Sequence, residues 1–580
     1  MTTHPMKRYL PFLNWLVHYE RANLTGDLLA GVIVAIMLVP QAMAYALLAN
    51  LPPQAGLYAS ILPLIIYGLL GTSRALAVGP VALMSLLVAS GVGQFAEPGT
   101  AQYLTLAVTL ALMVGVIQIA LGVLRVGFLV NFLSHPVLSG FISAGALVIA
   151  FSQLKNLLGI AIPSTDYVHE TILYAAQHLN ETNLTTLFIA ISSIALLLFF
   201  KNGLKPILAG MGVGGALRDA LTKTGPLVVV ILSTLAVWLL GLDQSAGVKI
   251  VADVPAGLPP LALPLPDLET LRQLLPTALT VSLIGYMESI SVAKSLASKR
   301  REKVDANQEL VALGAANLGA ALTGAYPVAG GLARSVVNFS AGANTGLASM
   351  ITAGLMALTV TFLMPLFFYL PQAVLAAIII VAVFNLLDFD TFLHAWRYDK
   401  SDAASLLITF FAVLFIGLEI GIVIGTAAAL ALYLWRTSRP HVAIVGRLAD
   451  SEHFRNVLRH EVTTHPNILV VRVDESLYFP NTQYLETFLM NAVADNPRVK
   501  HLVLMCSAVN SIDSSALEVL ETLIDSLRES GVTFYLSEVK GPVMDRLQRI
   551  GFVDKLGADR IFLSTHQAIC TLEPRCTVQD

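Results

Sequence analysis

The sequence is short of charge. Only 13% of its 580 residues are Asp, Glu, Lys or Arg, while 56% are hydrophobic; soluble chains carry about 25% charged residues. That shortage excludes a large soluble protein with buried helices, which would still need a polar surface. Between Leu24 and Leu124 the only charged residues are Asp27, Arg74 and Glu97. Cysteine is scarce too: Cys506, Cys570 and Cys576 all lie near the C-terminus, which leaves no disulfide framework and no paired-cysteine zinc site and fits a reduced, cytosolic tail. With a net charge of -3 and no basic tail interleaved with aromatics, nucleic acid is not an expected partner. No cleavable signal is expected, because Lys7, Arg8, Glu20 and Arg21 flank only a short mixed segment. The histidines are scattered and no Ser/His/Asp or metal-ligand set stands out, so neither an enzyme nor a cofactor is expected.

What is present is long apolar sequence. About fourteen apolar segments run through residues 1–436, centred near residues 35, 65, 87, 112, 140, 192, 233, 284, 314, 337, 358, 379, 411 and 428. A helix needs about 20 apolar residues to cross a bilayer, and several of these segments are too short to cross alone. Membrane lipid is therefore the expected surrounding. Residues 441–570 have the composition of a soluble domain, beyond a basic boundary and a breaker at Trp435–Pro440. Within them, Ile468–Val473, His501–Cys506 and Val532–Leu536 read as strands, and Ser514–Glu529 and Pro542–Ile550 as helices, which makes an α/β domain.

Loop charge orients the spans. With the N-terminus in the cytoplasm, the even-numbered connections carry Arg74, Arg125, Lys201, Lys205, Arg218, Lys223, Lys299, Arg300, Arg301, Lys303, Arg397 and Lys400. The odd ones read as acidic or neutral, with Asp166, Glu170, Glu181, Asp243, Asp253, Asp267 and Glu269. Cytoplasmic loops are rich in Lys and Arg, so an even number of spans and two cytoplasmic termini are expected.

Segments three and ten hold corresponding places in the two halves of a seven-plus-seven repeat. Each opens after a break, Val78-Gly79-Pro80 and Pro327–Gly331. Interrupted helices at matching positions are a feature of inverted-repeat transporters, and two ordinary kinked helices would look the same. A helix that begins inside the membrane presents unpartnered N–H groups and a positive dipole end, which together suit an anion. Arg334 lies one turn into segment ten and would add a full charge, or would serve as a structural ion-pair partner of Glu288. Gln41 and Tyr45 share a helix face in the first span, after Pro40; they offer either donors to an anion or a helix–helix hydrogen bond. Glu288 is an acid in an apolar helix. Burial opposes its charged form and a nearby Arg favours it, so it is a candidate to take up and release a proton.

These residues resemble the sulfate permease (SulP) family and its solute-carrier anion exchangers. The resemblance rests on Val39–Ala46, Pro52–Tyr58, Gly71–Arg74, Val78–Pro80, Glu288–Lys294, Asn307–Leu310 and Ala333–Ser335, with Ile512–Leu517 as the signature of a C-terminal STAS domain. It implies an all-α membrane domain of fourteen segments, a core and a gate, an elevator-like motion and a homodimer. It places a small inorganic anion, most simply sulfate, against Gln41, Tyr45, Val81, Leu83, Arg334 and Ser335. Glu288 stands where some relatives hold an Asp for sodium, which favours proton coupling. Ser514 and Ser515 match the phosphorylated position of related regulatory domains. A bacterial inner membrane is the implied location. Bicarbonate, a dicarboxylate, or an anion channel on the same scaffold are the alternatives.

Overall fold

The computed structural model describes residues 11–17, 19–128, 134–163, 168–212, 214, 218, 221–449 and 451–573. Lys7, Arg8, Asp166 and Cys576 lie outside them. The chain divides into two compact units, Met1–Ala428 and Ala429–Asp580.

Every apolar segment read from the sequence centres on a helix. The first seven are α1 (Arg21–Leu48), α2 (Leu62–Leu70), α3 (Ala82–Gly93), α4 (Ala101–Val123), α5 (His135–Ser152), α6 (Leu184–Leu198) and α7 (Gly225–Leu240). The second seven are α8 (Leu268–Arg300), α9 (Ala306–Leu322), α10 (Leu332–Ser340), α11 (Leu347–Leu358), α12 (Gln372–Val383), α13 (Lys400–Ile416) and α14 (Leu418–Thr437). Among the described residues, nine helical stretches are long and apolar enough to cross a membrane. Others fall short: α3 has 12 residues and α10 has 9.

Local chemistry sets the ends. The Asp267 carboxylate accepts from the Thr270 N–H at 3.0 Å and starts α8, while Lys299 and Arg300 meet its negative end. Asp305 caps α9 in the same way, accepting from Asn307 and Gln308. Small residues let helices touch. At Gly115 of α4 and Gly314 of α9 an added Cβ would run into the other helix's backbone, so these two helices pack at backbone contact.

Two buried carboxylates pin loops to this frame. Asp27 on α1 accepts from the N–H of Asn344 and Thr345 and from the Thr345 hydroxyl. Glu309 on α9 accepts from the Tyr67 hydroxyl, the Thr72 hydroxyl and the N–H of Thr72 and Ser73. A buried carboxylate keeps its charge at little cost when its oxygens are met in this way.

Two short strands cross within the membrane unit: β1 (Val78–Gly79) and β2 (Ala329–Gly330) pair antiparallel, Val78 opposite Gly330 and Gly79 opposite Ala329. The second unit holds the other strands, β3 (Val442–Arg447), β4 (Phe454–Asn456), β5 (Ile468–Val473), β6 (His501–Met505), β7 (Thr533–Ser537) and β8 (Ile561–Phe562). They form one sheet in the order β4-β3-β5-β6-β7-β8, parallel from β5 to β8. Its longer helices are α15 (Thr482–Ala494), α16 (Ser514–Glu529), α17 (Gly541–Arg549) and α18 (Thr565–Leu572). One face of the sheet packs under α15, α16 and α17, the other under α18, so the central strands are apolar on both faces.

Candidate anion site

The β1–β2 crossing positions the site. Strands this short cannot hold themselves, and side chains fasten them. The Asn317 amide brackets Val328, accepting from its N–H at 2.8 Å and donating to its carbonyl at 3.2 Å. The Ser289 hydroxyl accepts from the Gly330 N–H at 2.7 Å, and the Asn338 amide donates to the Ala75 carbonyl at 3.1 Å.

Each strand then leads into a half-helix. The residue before α3 is Val81 and the residue before α10 is Gly331, both extended, and neither has a side chain capping the helix. The N–H groups of Ala82, Leu83 and Met84, and of Leu332, Ala333 and Arg334, therefore have no acceptor within their own helices. Both helices start at one crossing, so two positive dipole ends converge there.

Arg334 fills the gap between them. It is only 2% exposed. Its Nη1 donates to the carbonyl of Pro80, the residue that precedes Val81. A Cβ at Gly331 would come within 3.1 Å of its Nη2, and one at Gly79 within 3.3 Å, so both glycines leave room for the guanidinium. Its Nε and Nη2 are buried and have no hydrogen-bond partner in the protein. Glu288 is not paired with it: the ion pairs among the described residues do not include these two, and Glu288 Oε2 is itself buried without a partner. The charges remain within each other's field, together with the hydroxyls of Tyr45 and Tyr326.

Gln41 and Tyr45 lie on α1, 6% and 7% exposed, and their polar ends make no hydrogen bond among the described residues. The structure thus assembles buried Gln41, Tyr45 and Arg334 with half-buried Glu288 as polar groups with unused bonding capacity. Val81 and Leu83 join them through the backbone at the start of α3, while the Leu83 side chain packs toward Gly145 of α5.

The Ser335 hydroxyl, expected at the anion, is engaged within the crossing. It accepts from the Ala77 N–H at 2.9 Å and donates its one proton to the Gly331 carbonyl at 2.7 Å. Both bonds fasten the crossing. The sequence reading missed Tyr326, fully buried, whose hydroxyl sits 3.2 Å from that of Ser85 on α3. Its place beside Pro327, at the break before α10, was the available signal. Ser514 and Ser515 are exposed at the start of α16, where Asp513 caps the helix by accepting from the Ala516 N–H at 2.7 Å.

Known proteins resemble this chain in family and in fold. The model of the sulfate permease family matches residues 24–409, and that of the STAS domain residues 459–568. The chain belongs to the sulfate permease family. Sulfate transporter 4.1, chloroplastic, of Arabidopsis thaliana is 35% identical over 582 residues, covering 98% of this chain and 82% of that protein. High affinity sulfate transporter 2 of Stylosanthes hamata is 32% identical, covering 97% and 86%. The structure of murine solute carrier 26 family member A9, an anion transporter in the inward-facing state, superposes with a TM-score of 0.89 at 25% identity, covering 99% of this chain and 96% of that one. The permease domain is thus helical and multi-pass, and the tail is an α/β STAS domain.

Proposed function

We propose that the protein is a secondary active transporter that carries sulfate across a membrane, with proton symport or anion exchange as its mode. The supporting observation is Arg334, buried between two half-helix ends with two N–H-bearing nitrogens unpartnered. A small oxyanion with acceptors on every side suits such a cluster of donors. The relatives' names favour sulfate over bicarbonate or a dicarboxylate.

Glu288 is the proposed proton carrier. It is the carboxylate whose field reaches Arg334 among the described residues. A proton on it would offset charge moving with a divalent anion, and sodium is the less favoured partner. The anion would contact Gln41, Tyr45 and the backbone at Val81 and Leu83, with Arg334 as its counter-charge. The loop cations support two cytoplasmic termini. The family resemblance alone supports an elevator-like motion, a homodimer and a bacterial inner membrane, while the shift in composition across Trp435–Pro440 supports a division at residues 436–441. The tail is proposed to regulate transport, with Ser514 and Ser515 as exposed phosphate acceptors at a helix N-terminus.

Uptake of labelled sulfate, bicarbonate and succinate into proteoliposomes, with and without a pH gradient, tests this. Sulfate accumulation that grows with an inward proton gradient is expected. Transport of another anion with sulfate excluded would overturn it.

A further inference from the structure

A cavity of the membrane unit, about 500 Å³, lies beside the anion site rather than on it. It sits at the C-terminal ends of α1 and α3, walled by the end of α5, the short helix Leu154–Leu158 and the turn between α13 and α14. Leu48 and Leu86 line it. Leu48 is one turn beyond Tyr45 on α1, and Leu86 is one turn beyond Leu83 on α3. Cavity and anion site therefore share two helices and are separated by about one turn of each.

Lys155, on the short helix, also lines this cavity. It falls in an odd-numbered connection, as does Lys249, and both depart from the acidic or neutral character read there from sequence. Partly buried, the Lys155 ammonium forms no ion pair and no hydrogen bond among the described residues. Exposed Lys249 acts on it electrostatically, so two positive charges bear on this end of the cavity. The acid on the same wall is Glu419, and its Oε1 already accepts from the Thr277 hydroxyl of α8 at 2.9 Å. Asn50 and Gln94 add neutral amides to the lining. A cation held partly out of water with no counter-ion is costly unless something anionic visits it.

The geometry points to this cavity as a capture site for a small oxyanion on its way to Arg334, with Lys155 as the residue that binds it. The inference rests on the anion-transport reading above. It separates two jobs: Lys155 governs how readily the anion is gathered, and Arg334 governs whether it is carried. An anionic lipid headgroup shares the chemistry and is the competing source.

The test is sulfate uptake by the full chain in proteoliposomes. Lys155→Gln is expected to raise KM about tenfold with the maximal rate unchanged, the size of one lost charge-assisted contact. Lys155→Arg restores the low KM. Modifying Lys155→Cys with a cationic methanethiosulfonate restores it too, whereas an anionic reagent does not; the wild type, treated in parallel, controls for native thiols. The effect is expected to be the same in neutral and in anionic lipid. An unchanged KM in Lys155→Gln, or a fall in maximal rate alone, overturns the proposal, and an effect confined to anionic lipid assigns the lysine to a headgroup instead. Wild-type protein that moves no sulfate overturns the transport reading and this inference with it, before any variant is needed.

Discussion

At the scale of single residues, the open valences of Arg334 and Glu288 have measurable consequences. A buried guanidinium with two unpartnered nitrogens destabilises the empty protein, and an anion bound beside it would relieve that cost. Arg334→Gln is therefore expected to leave the anion-free protein about as heat-stable as the wild type while removing the stabilisation that sulfate confers. At a hundredfold excess over Kd that stabilisation is about 2.7 kcal/mol. Thermal unfolding with and without sulfate checks this, and a retained sulfate shift would count against Arg334 as the counter-charge. Glu288→Gln separates coupling from binding: uptake is expected to lose its dependence on an imposed pH gradient while anion-for-anion exchange survives. Gradient-driven accumulation at the wild-type level would remove Glu288 from the coupling step. Both residues were legible in the sequence because a charge in an apolar segment needs a reason. The partners of Ser335 were not legible because a hydroxyl's partner is a matter of tertiary structure: the Ala77 N–H it accepts from is 258 positions away. Tyr326 and Asn317 were passed over because single polar groups in apolar sequence are common, and only the fold shows what each one meets.

At the scale of elements, the crossing of β1 and β2 is the feature on which both half-helices depend. Gly331→Ala places a methyl 3.1 Å from both Arg334 Nη2 and Val81 Cγ1. The backbone there is extended, so the change strains contacts rather than dihedral angles. The expected outcome is sulfate affinity reduced at least about tenfold with the fold kept, measured by the same thermal shift. Wild-type affinity in this variant would mean that the guanidinium has room to spare. The helices themselves were readable from hydropathy, and each expected centre fell within one. The breaks at Val78–Pro80 and Pro327–Gly331 were readable from glycine and proline. Their pairing with each other was not, since antiparallel contact between two-residue strands leaves no periodicity to detect.

At the scale of the whole molecule, the two units have separate cores, and each prediction concerns one of them. Truncation after Arg439 is expected to leave a protein that still binds sulfate but moves it at an altered rate; failure of purified truncated protein to bind would make the tail part of the site. The tail carries its own pH signature. Burial works against ionisation of Asp474, but hydrogen bonds from Arg472 at 2.6 and 2.9 Å and from His441 at 2.7 Å outweigh it and hold the carboxyl below its usual range. A depressed carboxyl stabilises the fold at pH values above its unfolded pKa of about 3.9, and that contribution disappears as pH falls through the folded value. Urea unfolding of a fragment spanning 441–573 is expected to show stability falling below about pH 4. Asp474→Asn should be weaker at pH 7 and lose part of that acid dependence.

The bond between Arg334 and the Pro80 carbonyl joins residues 254 positions apart, and that separation bears on how the chain is made. When α3 leaves the ribosome, the backbone it must meet has not been synthesised. A 12-residue helix is too short to span the bilayer unaided, and the 9-residue α10 brings an arginine that the hydrocarbon alone would reject. Neither can settle until both have arrived. Biogenesis must therefore hold the first half unfinished through translation of seven later helices, and its slow step is expected to be the docking of α10, with chains stalled before Arg334 as prime substrates for membrane quality control.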